Sequence, residues 1–241
     1  MPNEVPQPHL RVLGGDMRRS LSVAQGLPRA NQPEDVGFST ERLKRIASVF
    51  QGEVDKGAIP GAVILIARDG KIADFEAIGF QDREKKTPMG TDAIFRIASM
   101  SKPITAVAVM MLVEEGKIQL ENPISLFLPE FKGVQVGVEK VSVATGNAEL
   151  SLEPAKREMT IQDLLRHTSG LTYGFFGKSL VKQAYLDAHL FDPGQTLADA
   201  VTKISKLPLA SQPGTTWDYS MSFDVLGRVV EVVWHALRPV R

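Results

Sequence analysis

The feature that most constrains this chain is Ala98-Ser99-Met100-Ser101-Lys102-Pro103, which closes the run Ile94-Phe95-Arg96-Ile97 and opens the apolar run Ile104 to Val113. A helix beginning near Ser99 or Met100 places Pro103 in its first turn, where the missing N–H removes no intrahelical hydrogen bond. From Ile104 to Leu112 only Thr105 is not apolar. The helix is therefore expected to be buried on nearly all sides, with its methionines as core filler. Residues at i and i+3 share a helix face, so the Ser99 hydroxyl and the Lys102 amine can point into one cleft. The amino end of a helix also offers unpaired N–H groups and a positive dipole end, which eases proton loss from a hydroxyl and stabilises an oxyanion.

Spacing alone is weak evidence. With fifteen serines and fourteen lysines in 241 residues, about one S-x-x-K is expected by chance in a chain of this composition. A second one, Ser179-Leu180-Val181-Lys182, follows Gly174-Phe175-Phe176-Gly177-Lys178 in a mixed segment expected to be partly solvated. Ser99 instead stands between apolar segments, as a preorganised site on a rigid support requires. Ser179 is set aside on context.

A chain of 241 residues with 43% hydrophobic content can build one large core or two small ones. Net charge is zero with both signs interspersed, which argues against nucleic-acid partners and against a polybasic membrane role. Without cysteine there is no disulfide, thiol nucleophile or cysteine-based metal site. His9, His167, His189 and His235 are scattered with no H-x-x-x-H pair, so neither metal nor cofactor is expected. There is no bilayer-length apolar run and no continuous signal-peptide core, and a soluble cytoplasmic protein is expected. Oligomeric state is left open.

Along the chain, residues 1–37 read as an N-terminal extension, a tail or loosely packed. Residues 38–98 read as a helix plus an antiparallel hairpin, and 99–241 as a mostly helical region carrying the serine, lysine and a tyrosine. Ser39 can cap the first helix, which carries Leu43, Ile46, Ala47 and Phe50 at helical spacing and ends near Gly57. Ala62–Ala67 and Lys71–Phe80 read as strands joined at Asp69-Gly70. Gln81–Asp92 reads as a polar loop and residues 133–158 as an irregular excursion. Thr160 caps a short helix that stops at Thr168-Ser169-Gly170. One helix is possible within 171–195, Ala198–Leu207 reads as amphipathic, and Ser220 or Ser222 opens a last helix.

These elements resemble the serine β-lactamase and penicillin-binding-protein superfamily, in its class C-like branch that includes the family VIII carboxylesterases. The residues that carry the resemblance are Phe95 to Pro103, Glu114-Glu115-Gly116-Lys117-Ile118, Leu164-Leu165-Arg166-His167-Thr168-Ser169-Gly170-Leu171, and Pro213-Gly214-Thr215-Thr216-Trp217-Asp218-Tyr219-Ser220. The implied fold is α/β of the α+β type: an antiparallel sheet flanked by helices plus an all-helical region. The resemblance implies Ser99 as nucleophile, Lys102 as its partner and Tyr219 as the third member, with the Ser99 N–H as one oxyanion donor. A buried amine beside a phenol can have a lowered pKa and act as base, and which of Lys102 and Tyr219 is the base stays open. Trp217 is a candidate lining of the acyl pocket or simply a packed aromatic.

Two departures from the family pattern bear on function. Penicillin-binding relatives place x-Asn after the tyrosine or serine, whereas this chain has Tyr219-Ser220-Met221. That favours simple esters over β-lactams, and the implied partner is a small-molecule ester with a short acyl chain. The chain also stops at Arg241 after Trp234-His235-Ala236-Leu237-Arg238-Pro239, where the family continues with further strands. A truncated or frameshifted chain is expected, with the C-terminal sheet strands missing. The alternatives are a β-lactamase or D-amino-acid peptidase, and a catalytically inactive truncated fragment or pseudoenzyme whose open strand edges drive association. A triad of Asp163, His167 and Ser169 lies within one short helix and its cap, without a G-x-S-x-G elbow. His167 reads instead as a residue facing the helix dipole.

Overall fold

The computed structural model describes residues 26–141 and 146–237, without the side chains of 236 and 237. Expectations for residues 1–25 and for the last four residues lie outside the described residues. The chain divides into two compact units, Met1–Arg96 and Ile97–Arg241.

In the first unit, α1 (Thr40–Asp55) precedes β1 (Gly61–Arg68), β2 (Lys71–Asp82) and the short β3 (Thr87–Pro88). The sheet order is β1-β2-β3, with Leu65 opposite Phe75 and Arg68 opposite Lys71. Asp69 and Gly70 both take positive φ, 50° and 72°, the conformation that a two-residue hairpin turn demands. Part of the expected loose extension is built into this unit. Ile72 donates its amide to Pro28 at 2.8 Å and accepts from Ala30 at 2.9 Å, and Val36 is buried. Ser39 occupies the N-cap position but makes no capping bond. Glu34 substitutes for it, accepting from the Thr40 amide and hydroxyl at 2.9 and 3.0 Å. The Gln81–Asp92 segment contributes β3 to the sheet rather than remaining wholly loop.

The second unit contains α2 (Ser101–Glu114), β4 (Gln135–Val141), β5 (Ala148–Pro154), α3 (Ile161–Leu165), α4 (Leu180–Asp187), α5 (Leu197–Ile204) and α6 (Ser222–Leu237). The 133–158 excursion is in large part a regular antiparallel hairpin, Gln135 pairing with Pro154 and Val141 with Ala148. Val134 and Val136 turn inward at period two while Glu139, Lys140, Glu149 and Glu153 stay outside, and this charged face masks the strand signal. Val136 and Leu209 add a short parallel bridge, the Gly137 N–H donating to the Leu209 carbonyl and the Leu209 N–H to the Gln135 carbonyl, both at 2.8 Å.

Helix α6 is central, packing against α2, α3 and α5. Its Val225, Leu226 and Val229 have no exposed surface and meet Val109, Leu164, Val201 and Ile204 in one core. Each such side chain contributes on the order of 1.5–3 kcal/mol of apolar burial. Helix α2 departs from expectation. Val109 and Leu112 are buried, but Ile104 is 64% and Met111 55% exposed, and Val107 and Met110 are exposed too. A uniformly apolar run says that a helix can be covered on any side, whereas tertiary packing decides which side is covered. The α2 methionines are surface, not core filler.

Candidate active site

The nucleophile candidate stands where the chain turns into α2. Ala98–Met100 form one 3-10 turn and Ser101 begins the α-helix, so Pro103 falls in the first α-turn. Ala98, just before Ser99, carries φ +44°, a left-handed conformation that costs a non-glycine residue roughly 1–2 kcal/mol. Lys102 Nζ reaches back to donate to Ser99 Oγ at 3.3 Å. The same ammonium donates to the Tyr173 hydroxyl at 3.4 Å and lies 4.7 Å from the centroid of the Tyr219 ring.

Ser99, Lys102, Tyr173 and Tyr219 line one cavity of about 450 Å³, with Phe176, Phe191 and Asp224 among its walls. A second cavity of about 420 Å³ adjoins it, sharing Tyr173, Phe175 and Phe191 and reaching Leu186 and Met221. The residue in the place of the family's asparagine, Met221, is thus a buried apolar wall.

Partial burial is the largest single influence on Lys102 and pulls its pKa down, but hydrogen bonds and charge interactions with Tyr219 and Tyr173 together raise it. Tyr219 moves the other way: hydrogen bonds from Lys102, then from Ser99, hold its phenol below the ordinary value. Burial raises Tyr173, and burial also raises Asp224, against the pull of Lys102. The expectation of a depressed lysine is therefore corrected. A half-solvated ammonium with two phenol partners gains more from them than it loses in desolvation. The arrangement thus favours the protonated form of Lys102 and shifts Tyr219 towards its ionised form.

Other expected residues fall elsewhere. Trp217 is 66% exposed and does not line the Ser99 cavity; it stands edge-on to His167 at 6.3 Å. Ser179 caps α4, accepting from the Lys182 amide at 3.0 Å, and the Lys182 ammonium bonds to the Phe176 carbonyl. Asp163, His167 and Ser169 form no triad: Asp163 is held by Arg157 at 2.5 and 2.9 Å, while Ser169 bonds to Ser222. His167 does not face the helix dipole as a cation. It is buried, and burial, then the nearby Lys102 charge, depress its pKa. Tyr173 and Asp224 were not singled out from sequence. For Tyr173 the one available signal is its place two residues after the Thr168-Ser169-Gly170-Leu171 run.

Among the described residues no group of His, Asp and Glu is placed to hold a metal ion, and no helix is long and apolar enough to cross a membrane.

This fold is that of the β-lactamase/transpeptidase class of proteins. The chain belongs to the Beta-lactamase family, whose pattern matches residues 46–235. It is similar to esterase EstB of Burkholderia gladioli, 36% identical over 193 residues that make up 78% of this chain and 44% of that protein. Among solved structures it resembles EstCE1, described as a hydrolase with promiscuous acyltransferase activity, with a TM-score of 0.65 and 32% identity over 80% of this chain and 47% of that one. Simvastatin synthase LovD of Aspergillus terreus superposes with a TM-score of 0.64 and 26% identity, covering 82% and 48%. The chain spans about half the length of the relatives it matches.

Proposed function

We propose that this site cleaves carboxylic esters through an acyl-Ser99 intermediate, with Tyr219 as base and Lys102 as the fixed cation that keeps it ionised. The observation that carries the reading is the convergence of Lys102 on Ser99 and Tyr219, with the phenol depressed and the amine raised. As Ser99 Oγ bonds to the carbonyl carbon, its proton passes to the Tyr219 oxygen and the C=O electron pair moves onto the carbonyl oxygen. The Ser99 backbone N–H is the first candidate donor to that oxyanion. On collapse the ester C–O bond breaks and the departing alkoxide takes the proton from Tyr219, leaving alcohol and acyl-enzyme. Water then gives a proton to Tyr219 as it attacks, and Ser99 recovers its proton as the acid leaves.

Support for an ester rather than a β-lactam comes from the buried Met221 and from the similarity to EstB and EstCE1. Phe176 and Phe191 beside the cavity favour short acyl groups. Acyl transfer to an alcohol in place of water is a second reading, supported by the description of EstCE1.

The test is intact mass after treatment with a fluorophosphonate, alongside Ser99→Ala and Ser179→Ala. A single adduct lost only in Ser99→Ala is expected, and p-nitrophenyl acetate and butyrate then measure turnover. A folded protein that takes no adduct, or keeps it in Ser99→Ala, defeats the proposal.

A further inference from the structure

Resting on that reading of Tyr219, we propose that His167, neutral and with its proton on Nε2, is the positioning residue that fixes Tyr219, gripping it through the amides on both its sides. The His167 carbonyl accepts from the Asp218 amide at 2.9 Å. Its Nδ1 accepts from the Ser220 amide at 3.3 Å. The two residues that flank Tyr219 are thus both tied to one residue, whose ring lies 4.8 Å from the Tyr219 ring.

The tautomer follows from donor chemistry. An amide N–H only donates, so Nδ1 must present its lone pair to Ser220. Behind it lies a buried chain of hydroxyls. Ser220 Oγ is 3.3 Å from Nδ1 and 2.8 Å from Ser222 Oγ, Ser222 is 2.9 Å from Ser169, and Ser169 accepts from the Leu171 amide at 3.3 Å. All three serines have no exposed surface. One ordering lets every hydroxyl donate once and accept once: Leu171 amide to Ser169, Ser169 to Ser222, Ser222 to Ser220, and Ser220 to the His167 lone pair, which the hydroxyl shares with the Ser220 amide. A proton on Nδ1 would set two donors, the Nδ1–H and the Ser220 amide, against each other in a buried site.

The backbone at His167 points the same way. The residue closes α3 at φ +56°, with its own amide donating to Leu164 at 3.2 Å and the Thr168 amide to Asp163 at 2.8 Å. This paired ending normally uses glycine. A histidine held there is strained, as occurs where a side chain is needed for a site. Its surroundings oppose a second cation. Lys102 on α2 repels it, Asp218 attracts it less strongly, and burial outweighs both; the remaining ring neighbours are Trp217, Tyr219 and Phe223.

The test compares wild type with His167→Asn and His167→Ala. The Asn Oδ1 can take the place of Nδ1 as an acceptor but cannot titrate. The chain contains three tyrosines, and Tyr219 is the one held below the ordinary value, while Tyr173 and Tyr185 are raised. The first phenolate absorbance step therefore reports Tyr219 without any need for turnover. We expect this step unchanged in His167→Asn and moved up by about one unit in His167→Ala, the scale of one lost charge-assisted contact. In wild type, Ser99 labelling against pH should steepen from one proton to two below the His167 titration, and His167→Asn should lose the second. A folded His167→Ala that titrates like wild type overturns the proposal. So does a histidine nitrogen spectrum of wild type showing His167 protonated on Nδ1 at neutral pH. If Ser99 never labels but the phenol pattern holds, the esterase reading fails and the positioning role stands.

Discussion

Replacing each of the two phenols around Lys102 by phenylalanine should separate a base from a support. Lys102 carries three N–H donors, directed among Ser99, Tyr173 and Tyr219. Tyr219→Phe removes the only phenol that the site holds below its ordinary value. The Ser99 proton then faces an ammonium that is already protonated, and loss of a general base lowers the rate by about 10²–10⁴-fold. Tyr173→Phe removes a hydrogen bond of 3.4 Å to the ammonium. At that length the contribution lies at the low end for a charged partner, about 1.4 kcal/mol or tenfold. The variant should also shift the pH profile. Without Tyr173 the Lys102 pKa falls, the cation supports the Tyr219 phenolate less well, and the rate reaches its plateau at higher pH than in wild type. The assay is the second-order rate of fluorophosphonate addition to Ser99, followed by intact mass across neutral to alkaline pH. Equal losses in the two variants, or a larger loss in Tyr173→Phe, would refute the assignment of Tyr219 as base.

Three further outcomes follow from the packing. Leu226→Ala opens a cavity at the centre of α6 where no surface is exposed, and should cost about 2–5 kcal/mol in urea unfolding. Ile104→Glu, on the exposed face of α2, should change stability by less than about 0.5 kcal/mol while reducing self-association in sedimentation, since it breaks an exposed apolar patch. Burial pushes the Asp163 carboxyl up, but its bonds from Arg157 and Thr160 outweigh that and hold it below its ordinary value of 3.8. Its stabilisation is therefore fully present above that value and is lost as the pH falls through the folded value. Asp163→Asn should cost about 1–3 kcal/mol at neutral pH by stranding the Arg157 contacts, and the difference from wild type should shrink in acid unfolding.

What the sequence disclosed depended on how far apart the interacting residues lie along the chain. Ser99 and Lys102 were legible because three residues of helix bring them together, and Thr160 could be read as a cap because its partner Asp163 is equally near. The Asp69-Gly70 turn was legible for the same reason. The β4–β5 hairpin was not, because its inward valines alternate with a heavily charged outer face and Gly137 interrupts them. Gly137 is required there because a Cβ would come within 2.5 Å of the Val181 side chain, a contact that no local pattern announces. Helix α2 shows the converse failure, since its composition gives no information about which faces α6 covers. Tyr173 meets Lys102 across 71 residues and His167 meets Ser220 across 53, so neither role is encoded in spacing. For His167 the local signal was right about the backbone, which does end a helix there. It was silent on the side chain, because the strained turn that ends α3 also directs the imidazole into the segment that carries Tyr219.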